Sequence, residues 1–203
     1  MYHIDGYVDD AKDGDTVTIL KLVTDNSKKS FSQAIVKEGR FHFDGTVNGC
    51  EIAYVCLNSA SKDFCPVFFI EKGNLELNIG NSFCKATGTP LNDLKNIVED
   101  SIMSYIGMLE DIEDVYYSVV TDDRVLSQLG VTGLGLQENL VSFLHRTITE
   151  NIDNSLGGYL LVVYHDFFAI DELLSLLSNS SIRSEKNQFY NLILGIIDER
   201  QQL

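Results

Sequence analysis

The chain has 203 residues, which is enough to bury a sizeable core as one domain or as two small ones. Its 30 acidic residues against 15 basic ones give a formal net charge of −15, so the surface repels phosphate backbones and anionic lipid, and we expect no nucleic-acid partner. The sequence shows neither the roughly 20-residue apolar run that spans a bilayer nor an apolar segment after Met1 that would act as a secretion signal.

The first half of the sequence predicts β-strands. Short runs rich in Val, Ile, Phe and Tyr are bounded by turn residues such as Asp13-Gly14-Asp15. In one run Phe41 and Phe43 alternate with polar residues, which places both rings on one face of a strand. No helical pattern separates the runs, so the sequence predicts an antiparallel β-sandwich or barrel over residues 1–88. The seven predicted strands are YHIDGYV, TVTILKLV, SFSQAIVKEG, RFHFDGTV, EIAYVCLN, PVFFIEKG and LELNIG.

The second half predicts helices, so the expected fold class is α+β. Helical spacing begins after Pro90 with Leu91, Leu94, Ile97 and Val98. About five helices are predicted over residues 89–203, with starts at Asp153-Asn154-Ser155 and at Ile170 and a last helix over residues 184–203. This all-helical region is strongly acidic, because it carries −12 of the net charge whereas residues 1–88 carry −3.

The segment Gly88-Thr89-Pro90 separates the two regions. Gly88 permits an unusual φ at the exit from the last strand, Thr89 suits the N-cap of a helix, and Pro90 suits its first position. A Gly-Thr turn before a helix can also bind phosphate. We expect it here to be a structural joint between sheet and helices.

The four cysteines, Cys50, Cys56, Cys65 and Cys84, all lie in the strand half, and no pair has C-x-x-C spacing. A thioredoxin-type redox centre and a zinc ribbon are therefore not expected. Cys56 shares a strand face with apolar residues, as a small buried hydrophobe would. Phe64-Cys65-Pro66 lacks the earlier Thr or Ser and the earlier Pro that activate a peroxidatic thiolate. One disulfide among the four remains open, as does a nucleophilic role for Cys65 or Cys84.

The four histidines, His3, His42, His145 and His165, show no i, i+4 pair and no HExxH motif, so no metal site is expected from their spacing. His165 and Asp166 are expected to point to different faces of a helix.

Two further clusters have simple structural interpretations. Gly130, Gly133 and Gly135 follow a helical segment and not a buried parallel strand, so they predict a turn between helices and not a nucleotide loop. The acidic residues Glu110, Asp111, Glu113, Asp114, Asp122 and Asp123 lack EF-hand order and predict a solvated face. The sequence therefore predicts no catalytic, cofactor-binding or metal-ligating residues.

Several short motifs follow one another in a specific order along the chain. They are Ile4-Asp5-Gly6-Tyr7-Val8, Asp13-Gly14-Asp15-Thr16-Val17-Thr18-Ile19, Gly39-Arg40-Phe41-His42-Phe43-Asp44-Gly45, Phe68-Phe69-Ile70-Glu71-Lys72-Gly73 and Gly88-Thr89-Pro90-Leu91-Asn92, with ENIDNSLGGYLLV in the helical half. The individual motifs are short, and only their order is specific. This ordered series, which covers nearly the whole chain, resembles the uncharacterised N-terminal domain, with its helical linker, of Bacteroidetes thioredoxin-like proteins of the AhpC/TSA type.

The resemblance implies an exported cell-envelope or periplasmic protein, membrane-attached only through a possible N-terminal lipid anchor outside this sequence. Its thiol-disulfide chemistry would reside in a C-terminal thioredoxin domain, which the sequence up to Leu203 does not contain. We therefore expect a non-catalytic accessory module without a cofactor, either a fragment of a longer oxidoreductase or a stand-alone member. It would position that domain in cis, dimerise, or control substrate access.

A stand-alone envelope module that binds a peptide or glycan is the alternative. Exposed tyrosines would supply aromatic contacts, with Tyr2, Tyr7, Tyr54 and the pair Tyr116-Tyr117 as candidates, although core packing is the expected use of most of them. The ligand, the oligomeric state and the substrate of any attached redox domain do not follow from the sequence.

Overall fold

The computed structural model describes residues 1–22, 28–57, 67–80, 83–118, 122–179 and 188–202. Within them, eight strands precede five α-helices, an α+β arrangement that confirms the predicted fold class. The strands are β1 (Tyr2–Val8), β2 (Thr16–Leu22), β3 (Lys28–Ile35), β4 (Arg40–Gly45), β5 (Glu51–Leu57), β6 (Val67–Ile70), β7 (Gly73–Ile79) and β8 (Cys84–Thr87). The helices are α1 (Pro90–Tyr117), α2 (Asp123–Asn151), α3 (Ser155–Val163), α4 (Ile170–Asn179) and α5 (Gln188–Gln201), with a 3-10 turn at His165–Phe167.

The strands form a sandwich of two four-stranded sheets. Sheet A has the order β4-β1-β7-β8 and sheet B the order β3-β2-β5-β6. All the strand pairs are antiparallel except β1 with β7, which run parallel. Strand β8 was not predicted, because it is only four residues long and pairs with β7 at the edge of sheet A. The parallel pairing of β1 with β7 was not predicted either.

The molecule has three layers, which are sheet A, sheet B and the helices, and an apolar core lies between each pair of neighbouring layers. The first fills the space between the sheets and includes Ile4, Phe41 and Phe43. The second lies between the outer face of sheet B and the helices, and it combines Ile52 and Phe69 with side chains from every helix. Sheet B is therefore covered on both faces, whereas the outer face of sheet A is left to solvent.

The joint between sheet and helices forms at the predicted residues. Gly88 has φ +91, and Thr89 takes the extended N-cap conformation ahead of Pro90. The Thr89 hydroxyl makes no capping hydrogen bond. The carboxylate of Glu71 instead accepts from the Leu91 amide at 2.9 Å, so the loop after β6 caps the first turn of α1.

Asn92 joins α1 to the open edge of sheet B by hydrogen bonds. Its amide oxygen accepts from the Phe69 backbone N–H at 2.9 Å, and its amide nitrogen donates to the Phe69 carbonyl at 2.7 Å. The same nitrogen donates to the Thr89 hydroxyl at 2.7 Å. One buried side-chain amide thus takes the place of a neighbouring strand at β6, where backbone groups would otherwise lie unpaired.

One difference from the prediction in the helical half concerns its glycines. Helix α2 runs continuously through Gly130, Gly133 and Gly135, so the predicted turn between helices is wrong. A glycine in a helix interior costs about 1 kcal/mol relative to alanine, which is too little to break a helix whose apolar residues pack along α1. The predicted helix starts are confirmed, because Asn154 caps α3 and Ile170 begins α4.

None of the helices in the described ranges combines the length and the apolar character that crossing a bilayer requires. Of the predicted last helix, residues 184–187 and 203 lie outside the described residues.

Candidate functional site

The outer face of sheet A carries a dense set of polar side chains, which we call the polar face. The alternation of β1, β4 and β7 turns apolar residues inward and polar residues outward, so the exposed rows come from neighbouring strands. It consists of His3, Asp5, Tyr7, Arg40, His42, Asp44, Asn74, Glu76 and Asn78.

A histidine–carboxylate network occupies one end of the polar face. β1 contains His3-Ile4-Asp5 and β4 contains His42-Phe43-Asp44, and the antiparallel register sets His3 opposite Asp44 and Asp5 opposite His42. His42 Nδ1 lies 2.8 Å from an Asp5 oxygen, and His42 Nε2 lies 2.7 Å from Asp44 Oδ2. His3 Nδ1 contacts Asp44 Oδ1. The four side chains therefore form one continuous chain of contacts across the two strands.

The network shifts the pKa values of His42 and Asp44. Hydrogen bonds that His42 donates to Asp44 and then to Asp5 raise the pKa of His42, because both carboxylates favour its charged form. Hydrogen bonds from His42 and then His3 lower the pKa of Asp44 in the same way. All four side chains are at least partly open to solvent, which leaves them accessible to an ion or ligand.

A groove of about 470 Å³ adjoins the network, with Asp5 common to both. Its wall combines the Arg40 guanidinium, the Glu76 carboxylate, the Asn78 amide and the ring of Tyr7. A cationic fork, carboxylates and an amide beside one aromatic ring are groups that hold polar ligands such as peptides or sugars.

The groove floor depends on Gly6. A Cβ built on Gly6 would overlap the ring of Phe41, so only glycine lets that ring pack against the inner side of β1. Tyr2, a candidate contact residue from the sequence, is buried in the core instead, and Tyr54 packs against the helical core. Tyr7 is exposed, as expected of a contact residue.

The cysteines that the structure describes, Cys50, Cys56 and Cys84, lie away from the polar face. Burial raises the pKa of the Cys50 thiol to about 11 and that of Cys84 to about 12, so both are protonated at neutral pH. Cys56 is disulfide-bonded, so it is not the simple buried hydrophobe that its strand face indicated, and the disulfide that the sequence left open involves this residue. Cys65 and the surrounding Phe64-Cys65-Pro66 segment lie outside the described residues.

We expect Cys50 and Cys84 to react slowly in the native protein. Iodoacetamide at pH 7.5 attacks thiolates, and burial suppresses the thiolate at both positions. Mass spectrometry should find both residues alkylated at least about tenfold faster in denaturant than in the native state. Rapid native labelling of Cys84 would contradict this and would restore the nucleophilic role considered from the sequence.

The far ends of the two long helices form a second exposed feature, which we call the helical arm. It consists of residues 103–118, from α1 and the residue that follows it, and residues 122–139, from α2 and the residue before it. None of these described residues is fully buried, although Tyr105, Ile106 and Leu109 pack against the helical core at the base of the arm. A groove of about 320 Å³ runs between the two helices. Exposed apolar side chains line or flank it, including Tyr116, Tyr117, Val131 and Leu134.

The predicted acidic face belongs to this arm. Glu110, Asp111, Glu113, Asp114, Asp122 and Asp123 are exposed, as predicted. The arm thus presents apolar groups within a strongly negative surface, an arrangement that favours contact with a neutral or basic partner.

The other histidines have local contacts in the helical half. His145 stacks on Phe168 with ring centroids 4.0 Å apart. His165 Nδ1 lies 3.2 Å from Asp166 Oδ1 without a hydrogen bond, so the prediction that these neighbours diverge is wrong. The two residues share a single 3-10 turn, which brings their side chains together.

The sequence did not reveal that His3 and His42 lie on neighbouring strands, because metal-site motifs are recognised by ligands that are closely spaced in the sequence. The available signal was the repeated His-x-Asp pattern in two predicted strands, and it becomes informative only once β1 and β4 are known to pair.

A family model matches the strand-rich part of the chain and the first turn of the helix that follows it. No curated protein and no solved structure matches the sequence. The family match carries no link to thioredoxin-like oxidoreductases, and it supports only the coarser part of the expected resemblance, an N-terminal domain of unknown function. Residues 2–94, from β1 to the first turn of α1, match a family described as a domain of unknown function (DUF4369).

Proposed function

We propose that this chain is a non-catalytic accessory module of a thioredoxin-like thiol-disulfide oxidoreductase of the cell envelope, and that the helical arm contacts the catalytic domain. The observation that carries the proposal is the set of apolar side chains that the arm leaves exposed, including Tyr116, Tyr117 and Leu134, because a helical hairpin without a partner normally turns such side chains inward. The link to a thioredoxin-like domain comes from the ordered strand motifs.

Two observations agree with this role. The disulfide at Cys56 is typical of proteins that fold in an oxidising compartment such as the periplasm. The free thiols Cys50 and Cys84 are buried and held in the protonated form, which suits structural residues better than redox-active ones.

The test compares an arm variant with a matched surface variant. In the arm, Tyr116→Ser with Leu134→Ser removes two exposed apolar side chains, 43% and 63% accessible, and should leave the fold intact. Val163→Ser, which removes an exposed apolar group from α3, is the control. The probe is the thioredoxin-like domain encoded in the same reading frame, purified separately and titrated by calorimetry.

We expect the arm variant to bind this domain at least about tenfold more weakly than the wild type, and the control to bind within twofold, since a few central apolar residues dominate most interfaces. Equal affinity in all three proteins, or a reading frame without a thioredoxin-like domain, would overturn the proposal. Self-association that the arm variant abolishes in sedimentation velocity would assign the arm to a homodimer instead.

The groove on the polar face favours the second candidate function, a stand-alone module that binds a peptide or glycan. Tyr7, Arg40 and Asn78 provide one aromatic and two polar contacts along a single wall. A ligand library that raises the melting temperature of the wild type, and not that of Arg40→Ala, would support this candidate.

A further inference from the structure

We propose that His3, His42 and Asp44 form a binding site for a divalent cation of the Zn²⁺ class. One nitrogen from each imidazole and one carboxylate oxygen lie within 4.8 Å of one another on the polar face. The spacing of the histidines in the sequence does not indicate this site, because the two histidines come from strands that are distant in the chain and adjacent in the sheet.

The ligand set determines the class of ion. Two imidazole nitrogens and one carboxylate are ligands that Zn²⁺, Co²⁺, Ni²⁺ and Cu²⁺ favour, whereas Mg²⁺ and Ca²⁺ require oxygen ligands almost exclusively. Zn–N and Zn–O bonds of about 2.0–2.2 Å hold the ligand atoms of a tetrahedral site about 3.3 Å apart. Asp44 already contacts both histidines, His3 through Oδ1 and His42 through Oδ2, so one nitrogen of each ring lies beside this carboxylate. A small rotation of the exposed His3 ring would bring the remaining pair of nitrogens together.

Asp5 gives the site an orienting group. It accepts from His42 Nδ1 at 2.8 Å, which leaves Nε2 of the same ring directed at Asp44 and at the position of the ion. A carboxylate behind a metal-bound histidine fixes the tautomer and the ring orientation, and its removal typically costs about 10- to 100-fold in metal affinity.

Three protein ligands leave one coordination position open. The groove begins beside the network, with Asp5 contributing to both, so a fourth ligand could enter from the groove. The proposed ion therefore has an open position as catalytic and ligand-binding zinc sites do, whereas structural sites are closed by four protein ligands.

The test uses the untagged chain, treated with chelator and then dialysed free of it, without reductant so that the disulfide stays intact. Calorimetry with ZnCl2 should show one ion per chain with a dissociation constant in the micromolar range. Co²⁺ should give the visible absorption of a four-coordinate site, and Zn²⁺ should displace it. A 100-fold excess of Mg²⁺ should leave Zn²⁺ binding unchanged.

Four variants distinguish Zn²⁺ ligation by the network residues from nonspecific Zn²⁺ binding to the acidic surface. We expect His3→Gln, His42→Gln and Asp44→Asn each to weaken Zn²⁺ binding at least tenfold, and Asp5→Asn to weaken it about 10- to 100-fold. His145→Gln and His165→Gln, which remove the two histidines of the helical half, are the controls and should bind as the wild type does. All the network side chains are on the surface, so circular dichroism should show unchanged folding in each variant.

Two results would overturn the proposal. One is the absence of saturable one-to-one binding to the wild type. The other is binding that survives all three ligand substitutions, which would place the ion elsewhere. Because none of these measurements involves the helical arm, the outcome is independent of the accessory role proposed above.

Discussion

Replacing Asn92 with alanine is expected to lower the free energy of unfolding by about 3 kcal/mol, which for a chain of this size corresponds to a fall of about 6–12 °C in melting temperature. The substitution leaves the N–H and the carbonyl of Phe69 buried without partners at the edge of sheet B. Each unpaired buried group costs about 1–3 kcal/mol, and no water can reach this position easily because Asn92 is only 1% exposed.

Urea unfolding followed by circular dichroism measures the effect. Asn139→Ala provides the matched control, because it makes the same substitution at an exposed position of α2 and should change stability by less than about 0.5 kcal/mol. A loss below about 1 kcal/mol for Asn92→Ala would mean that α1 is held on the sheet mainly by apolar packing and that the amide contributes little.

Replacing Gly157 with alanine is expected to destabilise the protein by at least about 3 kcal/mol, at the upper end of the cost of overpacking. A Cβ at this position would overlap the backbone carbonyl of Asn151 and lie 2.7 Å from the backbone nitrogen of Ile152. Backbone cannot rotate away as a side chain can, so the end of α2 and the start of α3 would have to separate.

The same substitution at Gly107 should act in the opposite direction. Nothing lies within 4 Å of a Cβ at that position, which is in the interior of α1. Alanine there should stabilise the helix by about 0.5–1 kcal/mol. Thermal unfolding of both variants gives the comparison, and similar effects at the two positions would contradict the close packing of α2 against α3.

The sequence was informative where local physics determines structure. The alternation of Phe41 and Phe43 with polar residues predicted the inward face of β4, and the Gly88-Thr89-Pro90 segment predicted the joint. It misled at Gly130, Gly133 and Gly135, since the local preference of glycine for turns was weaker than the packing of α2 on α1. Short β8 went unrecognised because four residues carry little periodicity.

The candidate sites were beyond reach of the sequence for a different reason. The histidine–carboxylate network arises from strand register, which pairs His3 with Asp44 and Asp5 with His42, and register between distant strands is not encoded in local spacing. The joining role of Asn92 is likewise a tertiary contact of one amide. Composition gave the acidity of the helical arm, but not the apolar residues left exposed within it.

The double coverage of sheet B has a consequence for folding cooperativity. Ile52 and Phe69 belong to the helical core while their neighbours Ala53, Phe68 and Ile70 belong to the sandwich core, so adjacent residues of single strands serve both. Losing the helices would expose an apolar sheet face to water, and losing the sheet would remove one wall of the helical core. The strand-rich segment and the helices are thus thermodynamically coupled, and neither is expected to behave as an autonomous folding unit.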